Sequence, residues 1–195
     1  MTVTYIEIFL KNMLVLAPLY ICVRSLVFWY QKKCNRIWRA DIKREVGMGI
    51  FFLYVAGLLA MTLVMDAEYG SLSDMVGRAQ ARISFGEGIN LIPLRTITGF
   101  LKSSTDRDVF LINIVGNIIM FVPWGVGLTM LWKKNRNLLR IILWSAGLPV
   151  FIEGMQLFVG RSVDVDDWIL NFIGSFVGGL FFCLTKTFPY RYNKS

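Results

Sequence analysis

Three stretches of the chain, Gly47 to Met65, Val109 to Leu131 and Trp168 to Thr185, are apolar and contain no acidic or basic residue. Each is close to the about 20 residues a helix needs to cross roughly 30 Å of hydrocarbon. A fourth stretch, Leu138 to Val159, is interrupted by Arg140 near its start and Glu153 toward its end. Arg140 can snorkel to the interface, whereas Glu153 lies too far along the run for that escape. The first candidate, Ile6 to Tyr30, contains Lys11 and Arg24 and reads as a crossing helix, a signal anchor or an interfacial helix. No basic cluster precedes it and no A-x-A site follows, so a cleaved signal peptide is not expected. The pattern predicts an all-α, polytopic transmembrane helical bundle with about five spans.

The loops set the expected orientation, because basic residues accumulate on the cytoplasmic side. Lys32, Lys33, Arg36, Arg39, Lys43 and Arg44 lie between the first two spans, against Asp41 and Glu45. Lys133, Lys134, Arg136 and Arg140 join spans three and four, and Lys186, Arg191 and Lys194 follow span five. These segments are expected inside, which puts the N-terminus outside and the C-terminus in the cytoplasm. The opposite side, including the long segment Asp66 to Asp108, has more acids than bases. If the first segment does not cross, only the N-terminus changes side.

Composition agrees: 55% of the 195 residues are hydrophobic, 17% are charged and the mean hydropathy is +0.56. A soluble domain carries about 25% charged residues. The net charge of +8 follows from the lopsided loops and calls for no nucleic acid. Its expected partner is the anionic headgroup layer at the cytoplasmic face of the bilayer. Cys22, Cys34 and Cys183 are isolated in sequence and read as unpaired thiols. There is no histidine, which removes Ser–His, Cys–His and HExxH chemistry.

The polar residues inside the spans converge. Asn113 and Asn117 are four apart in span three, Glu153 and Gln156 three apart in span four, and Asp167 and Asn171 four apart at the start of span five. With the expected orientation all three pairs meet at the outer end. The connection between spans four and five adds Arg161, Asp164, Asp166 and Asp167 over the same helix ends. An intramembrane carboxylate normally faces a partner or a watery cavity, so Glu153 is expected to pair with Arg161 or with the asparagine amides, in a polar pocket opening outward. The plainer reading is that amides and ion pairs join the helices and that Asp166 or Asp167 caps span five. Gly174 and Gly178 form a GxxxG pattern, which means close packing against another helix in the same chain or, as a homo-oligomer, in a second copy. Pro123 and Pro149 are expected to kink their spans, and Trp29, Trp124, Trp132, Trp144 and Trp168 read mostly as interface anchors or lipid-facing bulk.

These residues carry a family resemblance. Asn90-Leu91-Ile92-Pro93-Leu94-Arg95-Thr96, Asn113-Ile114-Val115-Gly116-Asn117, Phe121-Val122-Pro123-Trp124-Gly125, Glu153-Gly154-Met155-Gln156-Leu157-Phe158, Gly160-Arg161-Ser162-Val163-Asp164-Val165-Asp166-Asp167 and Asn171-Phe172-Ile173-Gly174 together resemble the VanZ-like family. The likeness runs from about Asn90 to Phe182. It implies a small multi-pass protein of the bacterial cell membrane, typified by the teicoplanin-resistance protein of glycopeptide-resistance clusters. The family's polar signature would fall on Asn117, Glu153, Gln156, Arg161, Asp164, Asp166, Asp167 and Asn171. The chain then divides into an N-terminal extension (1–89), a VanZ-like membrane domain (90–185) and a basic tail (186–195).

Two functions follow as expectations. One is a non-enzymatic envelope protein that lowers susceptibility to lipid-tailed glycopeptides by binding the antibiotic, a lipid-linked cell-wall precursor or a partner that handles either, with no cofactor or metal. The other is an enzyme on a polyprenyl-phosphate substrate, in which Glu153, Asp164, Asp166 and Asp167 hold Mg²⁺ or Ca²⁺ and Arg161 grips a phosphate. Transport is disfavoured, because no internal repeat is evident and the polar groups lie near one face.

Overall fold

The computed structural model describes residues 2–33, 42–64, 70–102 and 107–187. The chain forms two compact units, Met1–Met65 and Asp66–Ser195.

The first unit is a helical hairpin of α1 (Thr2–Lys33) and α2 (Ile42–Leu59), whose last turns widen into a π-helical segment, Ala60–Val64. Lys11 and Arg24 do not interrupt α1. Arg24 meets Glu45 of α2, donating from Nε at 3.0 Å and from Nη2, so a charge within an apolar run finds its counter-charge on the neighbouring helix. Close approach is set by Gly57, where an added Cβ would come within 2.7 Å of the Phe9 ring. Tyr20 stacks on Phe52 with ring centroids 5.0 Å apart.

The second unit contains α3 (Leu72–Phe85), β1 (Ile89–Asn90), α4 (Arg95–Lys102), α5 (Arg107–Leu131), a 3-10 turn (Lys133–Asn135), α6 (Leu138–Phe158), β2 (Val163–Asp164) and α7 (Val165–Thr187). Among the described residues five helices, α1, α2, α5, α6 and α7, are long and apolar enough to cross a membrane. The hydrophobic runs read from sequence thus become helices within a few residues of their expected ends.

α5 and α7 pack in parallel along small residues. A Cβ at Gly174 would lie 2.0 Å from the Ile118 carbonyl oxygen, one at Gly178 2.3 Å from that of Val122, and one at Gly125 1.8 Å from that of Ser175. The GxxxG face is therefore occupied by α5 of the same chain. Between α6 and α7, Ser175 bonds Ser145 at 2.9 Å in the core. Trp124 is buried and donates to the Trp144 carbonyl at 3.0 Å, and Trp168 donates to that of Ala146 at 3.4 Å. Trp124 is thus a core residue, unlike the largely exposed Trp29 and Trp144. At the end of α5, Arg136 Nε donates to the Thr129 carbonyl at 2.9 Å, satisfying one of the acceptors a helix terminus leaves open. Cys22 and Cys183 form no disulfide among the described residues; Cys34 lies outside them.

α3 and α4 give no long apolar run. α3 starts at a capping box, with the Ser71 hydroxyl accepting from the Asp74 amide while Asp74 accepts from the Ser71 amide, and it stops at Gly86 in the left-handed region (φ 68°).

Candidate functional site

α6 ends in a Schellman turn. Gly160, at φ 79°, lets the Arg161 amide reach back to the Gln156 carbonyl at 3.0 Å. The chain then runs antiparallel to α6 for only a few residues before α7 begins, so the end of α6 and the start of α7 share one level. β2 pairs in parallel with β1, Ile89 opposite Val163 and Asn90 opposite Asp164. This brings the segment before α4 onto the same helix ends.

The three aspartates of the connection take separate tasks. Asp164 caps α7, its Oδ1 accepting the Asp166 amide at 2.9 Å. The same oxygen accepts from Asn90 Nδ2 at 2.9 Å, and Oδ2 accepts from the Thr96 hydroxyl. Asp166, 1% exposed, turns away from its own helix and caps α4. Its Oδ1 accepts from the Leu94 amide, and its Oδ2 from the amides of Thr96 at 2.8 Å and Ile97 at 3.2 Å. These are orphan donors at the start of a helix, where Leu94 has no capping side chain of its own. Leu94 sits at φ 64°, a left-handed conformation that costs a branched residue about 1–2 kcal/mol. The expectation that Asp166 or Asp167 caps span five is therefore corrected: Asp164 caps it, Asp166 caps α4, and Asp167 joins two spans.

Asp167 accepts from Asn117 Nδ2 of α5 at 2.8 Å. Glu153, buried on α6, accepts from the Asp164 peptide N–H at 3.0 Å. That donor is a backbone group, which a search among side chains for Glu153's partner passes over. Arg161, Asp164 and Asp167 all lie within electrostatic range of Glu153. Gln156 is buried near the end of α6, and Asn171 is buried one turn further along α7 than Asp167. The Asn171 carboxamide oxygen is enclosed and accepts no hydrogen bond among the described residues. Asn113, one turn before Asn117, is exposed, and only Asn117 of that pair reaches α7.

The helix ends thus bring together Asn117, Glu153, Gln156, Arg161, Asp164, Asp166 and Asp167, with Asn171 one turn further along α7, and leave Asn113 aside. Sequence reading missed Asn90, Thr96 and Arg82. Asn90 and Thr96 bond each other at 3.0 Å and both bond Asp164. Arg82 of α3 donates from Nε to the Glu87 carbonyl at 3.3 Å and from Nη1 to the Arg161 carbonyl. The one available signal was the Asn90–Thr96 segment itself, whose polar ends flank an apolar turn.

Chemically the cluster is rich in acceptors. Among the described residues no three carboxylates or thiols gather as a metal-holding group. Asp164 and Asp166 accept instead from backbone amides, Asn90 and Thr96.

Comparison with known proteins gives one positive result. Searches among curated proteins and among solved structures return no match. Residues 51–186, in contrast, match the VanZ/LLP1 family across α5, α6, α7 and every residue of the polar cluster. By that match the chain belongs to the VanZ/LLP1 family.

Proposed function

We propose that this protein resides in a bacterial cell membrane and lowers susceptibility to lipid-tailed glycopeptide antibiotics such as teicoplanin, by engaging the drug or a lipid-linked cell-wall precursor at the polar end of α5–α7. The positive-inside pattern supports placing that end outside, where both ligands reside. The observation that carries the reading is the unsatisfied Asn171 acceptor, four residues and so one helical face from Asp167. A buried acceptor left unmade costs about 1–3 kcal/mol. An incoming hydroxyl or amide donor recovers that cost, and both proposed ligands carry such groups in number. No reaction is required of the site.

The test is the teicoplanin and vancomycin susceptibility of cells carrying the wild type, no gene, or Glu153→Gln, with membrane abundance measured in parallel. Loss of the gene should lower tolerance to teicoplanin more than to vancomycin. Glu153→Gln should reproduce that loss at unchanged abundance. Equal susceptibility in all three strains refutes the proposal.

A further inference from the structure

We propose that α3 and the Leu91–Leu94 turn form an interfacial element that lies in the lipid headgroup layer at the polar end of α5–α7, with the bilayer itself as its partner. α3 has 14 residues, about 21 Å of helix, and cannot cross a membrane. Yet it is not clothed as a water-soluble helix. At 100° per residue, Leu72, Val76 and Ile83 fall within an arc of about 40°. Leu72 is 78% exposed and Ile83 64%, while neighbouring Ala79 is buried on the side where α3 meets α6. Leu91 in the turn is 71% exposed, and Ile92 and Leu94 are exposed beside it. An apolar stripe beside a packed edge, with Ser73, Gln80, Ala81 and Ser84 on the remaining side, suits a helix lying flat in an interface.

What identifies the occupant is the level at which this element is fixed. Arg82 bonds the Arg161 carbonyl, the Val163 amide bonds the Gly88 carbonyl at 2.9 Å, and β1 pairs with β2. Three attachments therefore hold the segment where α6 ends and α7 begins. α6 has 21 residues, about 32 Å of helix, which matches the thickness of the hydrocarbon layer. Its terminus consequently marks the boundary between acyl chains and headgroups, and the stripe sits at that boundary. The outward faces of α5 and α6 are apolar up to the same level, through Leu111, Val115, Phe151 and Phe158, so the lipid surrounding the spans continues onto α3.

The full chain, with Cys22, Cys34 and Cys183 replaced by serine, is reconstituted in phospholipid vesicles and spin-labelled at Val76→Cys, Ile83→Cys, Ile92→Cys or Ala81→Cys. Ala81 is exposed and about 180° around the helix from Leu72. Collision with oxygen, which concentrates in acyl chains, is compared with collision with a water-soluble nickel chelate. The oxygen-to-nickel ratio should be severalfold higher at 76, 83 and 92 than at 81. A ratio at 76 and 83 no higher than at 81 places the stripe in water and overturns the proposal. Loss of access to both colliders at 76 and 83 shows a second protein surface there and overturns it equally. All four positions are exposed, so the labels should not disturb folding.

Discussion

Replacing Asp166 by alanine should release the segment that leads into α4 while leaving the spans intact. The side chain accepts from three backbone amides, those of Leu94, Thr96 and Ile97, and is itself 1% exposed. Hydrogen bonds to a charged acceptor are worth about 1.5–3 kcal/mol each. The loss is limited because the freed segment can open and rehydrate its amides, and because Leu94 then leaves its left-handed conformation, recovering about 1–2 kcal/mol. A net local destabilisation of about 3 kcal/mol remains, equivalent to roughly a hundredfold increase in the opening equilibrium. Amide hydrogen exchange followed by mass spectrometry reads this directly. Peptides covering 91–98 should exchange about a hundredfold faster in Asp166→Ala, whereas peptides from the middle of α5 and α7 should be unchanged. If exchange at Leu94, Thr96 and Ile97 is unaltered in a folded variant, the capping account is wrong.

Gly125→Ala places a Cβ 1.8 Å from the Ser175 carbonyl and should cost about 3 kcal/mol or more, whereas Gly147→Ala meets nothing within 4 Å and should be neutral or slightly stabilising; thermal unfolding in detergent compares them. Glu45→Gln removes the counter-charge of the partly exposed Arg24 and should destabilise the hairpin by about 1–2 kcal/mol, with Arg24→Glu plus Glu45→Arg restoring part of the loss in the same assay. The Ser71 hydroxyl and amide hold the Asp74 carboxyl below the usual carboxylate range. The capping box should therefore be complete above the ordinary carboxylate pKa and be lost as pH falls through the lowered one, and Ser71→Ala should move fraying of α3 to higher pH, as read by amide exchange at Met75 and Val76.

The spans were legible because bilayer thickness dictates their length, and that constraint writes an unbroken apolar run into the sequence. Gly174 and Gly178 likewise announced a close helix contact, although only the structure identifies Ile118 and Val122 of α5 as the other side. α3 and α4 were not read, because helices of 14 and 8 residues leave no such run. Ser71 and Asp74 with Gly86 were the local trace of α3, a capping box and a stop signal around a short stretch of mixed polarity. The convergence of Asn117, Glu153 and Asp167 was readable from the alternating direction of consecutive spans, which puts the first part of α5, the end of α6 and the start of α7 on one side. The destination of each carboxylate was not. Asp166 and Asp167 are adjacent in sequence and point about 100° apart around α7, so one reaches α4 and the other α5. Asp166's acceptor role depends on amides 69 to 72 residues away, for which the local sequence holds no cue.

That divergence separates Asp166, both of whose oxygens serve backbone amides, from Asp167, which accepts from one side-chain amide, and isosteric substitution should expose the difference. In Asp167→Asn the remaining carbonyl oxygen still accepts from Asn117, so the join between α5 and α7 survives and only the charge is lost. Asp164→Asn is similarly permissive: its oxygen serves Asn90 and the Asp166 amide, and its new amine donates to the Thr96 hydroxyl, which can act as acceptor. Asp166→Asn has no such arrangement, because both oxygens accept from backbone N–H groups and whichever becomes an amine faces a donor. Asp166→Asn should therefore lower the melting temperature and membrane abundance most of the three. Asp167→Asn should keep both near wild type while reproducing the teicoplanin phenotype of Glu153→Gln. Equal loss of stability in Asp166→Asn and Asp167→Asn would contradict the separation of roles, and a stable Asp167→Asn with wild-type tolerance would show that its charge serves neither the fold nor the proposed ligand.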